Sequence, residues 1–234
     1  MMTSPAPVPT PDPVVDAASL PPLQRWKIAL AALAKVVRDP TQTDQVLVFT
    51  TYANAGAIRG RLDKFFDDPN GAKLFAVHRT IDSHTIDLDA LDALPEGTLG
   101  HAYARFLRSR GLTPEVFDGE PPAVSDKRTA YVIQRMRQTH DLWHVVTGND
   151  TDPAGEVALQ AFTFAQVHAP SSLILAAVGT LKASRKKPML VRDVVRAFRL
   201  GNHAEELAVF PWEDHWATPL VEVRAMLGLP VARA

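Results

Sequence analysis

The chain has 234 residues, 46% of them hydrophobic, and a formal net charge of −1. That supplies a sizeable core for one large or two small domains, while near-neutrality argues against general polyanion or nucleic-acid binding. It has no cysteines, which excludes disulfides, thiol nucleophiles, thiolate zinc sites and cysteine-held iron–sulfur clusters; no apolar run approaches the ~18 residues of a membrane span.

Met1 to Pro22 is rich in proline, alanine and serine, carries Asp12 and Asp16 but no Arg or Lys, and reads as a disordered leader that is neither a mitochondrial presequence nor a secretory signal. One folded domain is expected over residues 23–234. Trp26, Leu30, Leu33 and Val37 recur at helical spacing up to Asp39-Pro40. A second helix is expected from Thr43 to Phe66, stopped by Asp67-Asp-Pro-Asn-Gly71, followed by a short apolar segment and a polar turn. Thr98 to Arg110 reads as a helix ended by Gly111. A proline- and glycine-bearing loop leads to Ser125, taken as the cap of one long helix from Asp126 to Thr147. Further helices follow at Asp152-Pro153, at Pro170, from Met189 to Leu200 and from Thr218 to Leu227. No alternating strand pattern appears. The expected fold is all-α, a single-domain multi-helix bundle with long loops.

The sharpest chemistry lies in His140-Asp-x-x-His144, answered by Glu156 after eleven intervening residues. With His140 at zero, His144 lies at about 40° and Asp141 at about 100° around a helix, so three possible ligands share one arc. Ile133, Met136 and Trp143 flank that arc and turn it inward. Buried imidazoles and carboxylates need compensation, which a divalent cation supplies directly. Asp152 as cap and Pro153 as first helical residue put Glu156 near a helix start, where a short antiparallel return brings it back to His144. The set reads as a metal site of His140, Asp141, His144 and Glu156. The alternative is a core histidine pair bonded to Asp141, with Glu156 favouring a helix N-terminus.

Other residues carry weaker signals. Arg137 shares the ligand arc and suits either a substrate carboxylate or a salt bridge to Asp141 or Glu156. Tyr131 offers a phenol or plain packing. Lys182, Arg185, Lys186, Lys187, Arg192, Arg196 and Arg199 place seven positive charges in eighteen residues, the last three forming a stripe within about 60°. That stripe suits an anionic membrane surface or a solvated face paired with Glu205, Glu206 or Asp214.

Leu94-Pro-Glu-Gly-Thr-Leu-Gly-His-Ala-Tyr103, Ala130-Tyr-Val-Ile-Gln-Arg-Met-Arg137, the His140-to-Glu156 motif and Trp216…Pro219-Leu-Val-Glu-Val-Arg224 resemble the coenzyme Q (ubiquinone) biosynthesis protein 4 family, from about Pro40 to the C-terminus. The resemblance implies an all-helical protein, peripheral to a membrane, that binds a divalent metal and a polyprenylated ring precursor or another isoprenoid lipid. It implies His140, Asp141, His144 and Glu156 as ligands and metal-dependent removal of the C-1 carboxylate from a polyprenylated 4-hydroxybenzoate-type ring, with oxidation and hydroxylation there as a variant; Asp141 and Arg137, by their place on the ligand arc, are the expected catalytic groups. The alternative it implies is a prenyl-lipid-binding scaffold for the biosynthetic complex. Zinc or Fe(II) suits the donors, with magnesium and manganese left open. Tyr131, Phe162, Phe164 and Val167 are candidates for ring and tail. Expected partners are other quinone-biosynthesis enzymes and a second copy of the chain, and the expected place is the bacterial cytoplasm, peripheral on the inner membrane.

Overall fold

The computed structural model describes residues 16–39, 42–118, 123–184 and 187–231. The first fifteen residues of the expected leader lie outside the described residues, as do Arg185 and Lys186. Asp16 accepts from the Ala18 amide and from Ser125, starting a 3-10 turn, Ala17–Ser19, whose first amide donates to the Ala123 carbonyl. Order is thus described from Asp16 onward, inside the stretch expected to be leader.

The described residues are all-helical, with twelve α-helices and one isolated β-type bridge. They are α1 (Pro22–Arg38), α2 (Thr43–Asn54), α3 (Ile58–Asp67), α4 (Pro69–Ala76), α5 (Leu88–Asp92), α6 (Leu99–Ser109), α7 (Lys127–Gln138), α8 (His140–Thr147), α9 (Pro153–Val167), α10 (Pro170–Ala183), α11 (Leu190–His203) and α12 (Leu220–Met226).

Two expected helices are each divided. The span from Thr43 to Phe66 breaks at residues 55–57, around Gly56, a poor helix former. The span from Asp126 to Thr147 breaks at Thr139, whose hydroxyl donates to the Arg135 carbonyl at 2.9 Å, a back-bond that bends helices. Its cap is Asp126 rather than Ser125: the Asp126 carboxylate accepts from the Thr129 amide at 2.7 Å. The segment after Asp67 is helical, because Asp68 caps α4 through the Asn70 amide and Pro69 takes its first position.

Helix α9 is central, packed against α10 and α11. Gly201 of α11 lets the backbones meet, since a Cβ there would stand 2.7 Å from the Phe162 carbonyl oxygen. The main core gathers Leu99, Tyr103, Leu142, Trp143, Leu159, Phe162, Trp212 and Val223; a smaller cluster of Ala29, Ala32, Leu33, Phe49 and Ala53 joins α1 to α2. Near the site, the starts of α6 and α12 are stitched together by Leu99 donating to Thr218 and Leu220 donating to Gly97. Arg224 of α12 then reaches the end of α8, donating to the Val146 and Val145 carbonyls at 2.9 and 3.0 Å. Those carbonyls have lost their helical partners, so a cation there is favourable twice over. Helix α8 is fixed at both ends, by Thr139 and by Arg224.

Candidate metal centre

On α8, His140 and His144 stand one turn apart, their rings 4.9 Å apart and perpendicular. Asp152 accepts from the Gly155 amide at 2.7 Å and Pro153 opens α9, so Glu156 returns in its first turn. A Cβ on Gly155 would lie 2.0 Å from the Asp150 carbonyl oxygen, so only glycine lets the turn fold this tightly onto α9. Glu156 Oε1 reaches to 3.3 Å from His144 Nε2, and Oε2 to 3.8 Å from His140 Nε2.

One ligand atom from each of His140, His144 and Glu156 fits within a span of 4.8 Å. A tetrahedral ion with bonds of about 2.0–2.1 Å holds its ligands about 3.3 Å apart, the separation Glu156 already has from His144, and the trio would draw in around an ion by at most about 1.5 Å. His144 is turned for that role. Its Nδ1 lies 3.1 Å from the Asn149 carbonyl, which fixes the proton there, and its buried Nε2 has no hydrogen-bond partner. The donor set fits a divalent cation with coordination positions to spare.

Charge is concentrated at the trio. Burial alone would raise the Glu156 carboxyl, yet the two imidazoles beside it pull it down to about 2. Burial pulls the His140 imidazole down and Glu156 more than offsets this, leaving a net upward shift. Asp141 stands outside the three-residue group. It is buried, its carboxyl is pushed up by that burial, and it feels the charges of both histidines, Glu156 and Arg110. The Tyr103 phenol beside it is pushed up by burial and by the Asp141 charge.

A cavity of about 490 Å³ opens onto His140 and Glu156. Its walls come from α2, α3, α7, α9 and the start of α10, with Val46, Leu47, Ile58, Ile133 and Met136 supplying apolar surface. Arg137 lines it beside His140 and donates to Gln134 at 3.0 Å; burial lowers its guanidinium. Four other candidates point elsewhere. Tyr131 donates to the Arg79 carbonyl at 2.9 Å and packs edge-on against Phe65 and Phe75. Phe162 is fully buried against Trp143, Phe164 stacks on Phe198 of α11, and Val167 lines a separate cavity of about 260 Å³. Trp143, expected to flank the ligand arc, lies in that core with Phe162. Arg192, Arg196 and Arg199 are exposed on α11, remote from this cavity.

The sequence reading missed Asn149, Gly155, Arg61 and Thr163. The turn Gly148-Asn149 was a signal for the first, since a carbonyl in a tight reversal is free to face the preceding histidine. Nothing local marks Arg61 or Thr163, which meet the cavity only through tertiary packing.

A family model described as coenzyme Q (ubiquinone) biosynthesis protein Coq4 matches residues 16–232. The chain belongs to the Coq4 family. Among its relatives, the mitochondrial ubiquinone biosynthesis protein COQ4 homologs of Rattus norvegicus and Xenopus laevis are each 31% identical, over 212 and 210 residues; these cover 89% and 88% of this chain and 79% and 73% of theirs. A crystal structure described as a ubiquinone biosynthesis protein from Nostoc punctiforme aligns with a TM-score of 0.71 at 31% identity, covering 88% of this chain and 98% of that one. Coq4 proteins work in ubiquinone biosynthesis. No helix among the described residues of this Coq4 chain is long and apolar enough to cross a membrane.

Proposed function

We propose that this Coq4 chain removes the C-1 carboxylate from a polyprenylated 4-hydroxybenzoate-type ring in a metal-dependent step of ubiquinone biosynthesis. The observation that carries the reading is the apolar-walled cavity ending on His140 and Glu156. Its size suits a ring with part of an isoprenoid tail. In the reaction the bond between ring and carboxylate breaks, its electron pair stays with the ring carbon, and that carbon takes a proton as carbon dioxide leaves. Zinc or Fe(II), held by His140, His144 and Glu156, would supply Lewis acidity to a substrate oxygen. Asp141, which does not line the cavity, acts through the two histidines whose charges it feels, and Arg137 sets positive charge beside the ring. The apolar wall grips the tail and excludes water. Val46, Leu47, Ile58 and Ile133 take the place there that Phe162, Phe164 and Val167 were expected to fill. On this reading other quinone-biosynthesis enzymes pass and receive the lipid, at the periphery of a bacterial inner membrane.

One observation favours a second reading, the lipid-binding scaffold. The carboxylate and imidazoles compensate each other electrostatically, which would brace α8 on α9 without chemistry. The two are separated by measuring metal content and ring intermediates together. Under the enzyme reading, metal-stripped protein keeps its helical fold and lipid binding, and a deletion strain carrying His144→Ala accumulates the ring with its carboxylate intact. Normal quinone levels from that variant would overturn it.

A further inference from the structure

Arg61 is a part-buried cation with no ion-pair partner among the described residues. It lies on α3 and lines both the metal-facing cavity and the adjoining smaller one. One nitrogen donates to the Asn54 carbonyl at 3.2 Å, while Nε is buried with no hydrogen-bond partner. No carboxylate among the described residues forms an ion pair with it, and burial alone pulls its guanidinium down to about 10, so it stays charged at neutral pH. The acids lining the same cavity are otherwise committed. Asp16 holds Ser125, Asp126 caps α7, and Glu156 faces the two imidazoles.

A second orphan belongs to a residue that lines the same cavity. Thr163 of α9 lines it, and the Thr163 hydroxyl is buried with no partner. Lys64 of α3 donates to the Gln166 carbonyl of α9, one link between the helices that carry Arg61 and Thr163. Met136 lines both cavities with Arg61 and precedes His140 by one turn, about 6 Å along the helix. A guanidinium buried without an anion is costly, and its planar fork is shaped for a carboxylate.

We infer that Arg61, in the cavity that Thr163 also lines, is an anion-recognising subsite that takes the carboxylate of an aryl acid. This rests on the reading of the cavity as an aryl-lipid site and deepens it. With the carboxylate at Arg61, the ring spans toward the metal trio and presents its phenolic oxygen to His140 and Glu156. Arg137, engaged with Gln134, is then a neighbour of the ring rather than the carboxylate's holder.

The test is direct binding, followed by calorimetry at neutral pH, of 3-farnesyl-4-hydroxybenzoate, its methyl ester and 2-farnesylphenol, with and without zinc. Wild-type protein should prefer the acid by about tenfold or more, the scale of a charge-assisted bidentate pair, and should do so with or without metal. Arg61→Gln keeps a donor for Asn54 but lacks the charge; it should bind the acid about as weakly as the phenol and leave phenol affinity within about threefold. Arg61→Lys, which keeps the charge without the fork, should retain part of the preference and serves if the glutamine variant does not fold. A wild-type protein that does not distinguish acid from phenol, or an Arg61→Gln protein that keeps the full preference, overturns the subsite while leaving the lipid site intact. If none of the three compounds binds wild type, both the subsite and the aryl-lipid reading beneath it fail. If farnesyl phosphate gains over farnesol through Arg61 while the acid gains nothing, the subsite serves a phosphate and the carboxylate assignment is wrong.

Discussion

His144 is oriented by the Asn149 carbonyl at Nδ1, its side chain is fully buried, and its unpartnered Nε2 stands 3.3 Å from Glu156 Oε1. Replacing it with alanine removes the ligand that is set most firmly. His144→Ala should therefore lose nearly all bound metal under competing chelator, and full metal content by elemental analysis would refute the assignment. Gly155→Ala tests the turn that delivers Glu156. The new methyl group would meet backbone 2.0 Å away, so the turn must shift and carry Glu156 with it. We expect a loss of about 1–3 kcal/mol in a urea melt, typical of overpacking, together with weakened metal binding. Arg135 shows what a committed cation looks like: it is fully buried, paired with both oxygens of Glu213, and donates to the Phe210 carbonyl. Arg135→Ala strands the Glu213 charge and should cost about 3–5 kcal/mol. The His140–His144–Glu156 trio was legible because helical spacing and a short capped turn are local facts. Arg61 was not, because its surroundings on α7 and α9 are distant from α3 in sequence and meet it only in the fold.

At the scale of elements, caps explain where the sequence spoke clearly and where it was misread. Asp152-Pro153 was read as a helix start and is one; Asp68-Pro69 has the same form and also starts a helix, yet it was read as an ending because a helix had just stopped before it. The break at Thr139 was hidden, since apolar periodicity runs unbroken through a bend made by one hydroxyl. The segments around Leu94–Tyr103 and Trp216–Arg224 carried the family likeness without an evident reason. In the fold they are the stitched starts of α6 and α12 that lock the end of α8. Asp152 gives a test with a definite sign. Its carboxyl lies below the usual 3.8, chiefly through Lys187 and then the Gly155 amide. A group depressed by folding contributes stability above its unfolded pKa, and that stability fades as pH falls through the lower folded value. Asp152→Ala should cost about 1 kcal/mol at neutral pH, as lost caps do, and the gap from wild type should narrow only in acid below the unfolded value. A gap that stayed constant down through that range would show that charge at this cap does not matter.

For the whole molecule the question is how a chain with no helix long and apolar enough to cross a membrane among its described residues would meet the lipid substrate proposed above. Net charge says little, but its placement on α11 is informative. Ala197 and Gly201 bury one side of that helix; Val191, Val195 and Phe198 follow round it, exposed at 49%, 43% and 39%. Beyond them stand Arg192, Arg196 and Arg199, all exposed, with no ion-pair partner among the described residues. The acids expected to neutralise them are used elsewhere or absent from the pairing: Glu206 holds Lys64 and Asp214 holds Arg79. Lys187 is tied to Asp152 and Lys182 to the Val37 carbonyl, so the stripe itself is the available charge. An exposed apolar arc edged by arginines has the pattern of a helix lying in a bilayer interface. Each cation near an anionic surface is worth about 1 kcal/mol, so three give roughly a hundredfold in affinity at moderate salt. Replacing all three with glutamate should abolish sedimentation with vesicles containing phosphatidylserine, and raised salt should weaken wild-type binding by shortening the Debye length. Vesicles of phosphatidylcholine alone should show little difference between the proteins. If the triple variant binds anionic vesicles as wild type does, the docking face is not α11, and the exposed row Leu23, Trp26 and Leu30 on α1 becomes the surface to test, because it offers apolar contact without the arginine edge.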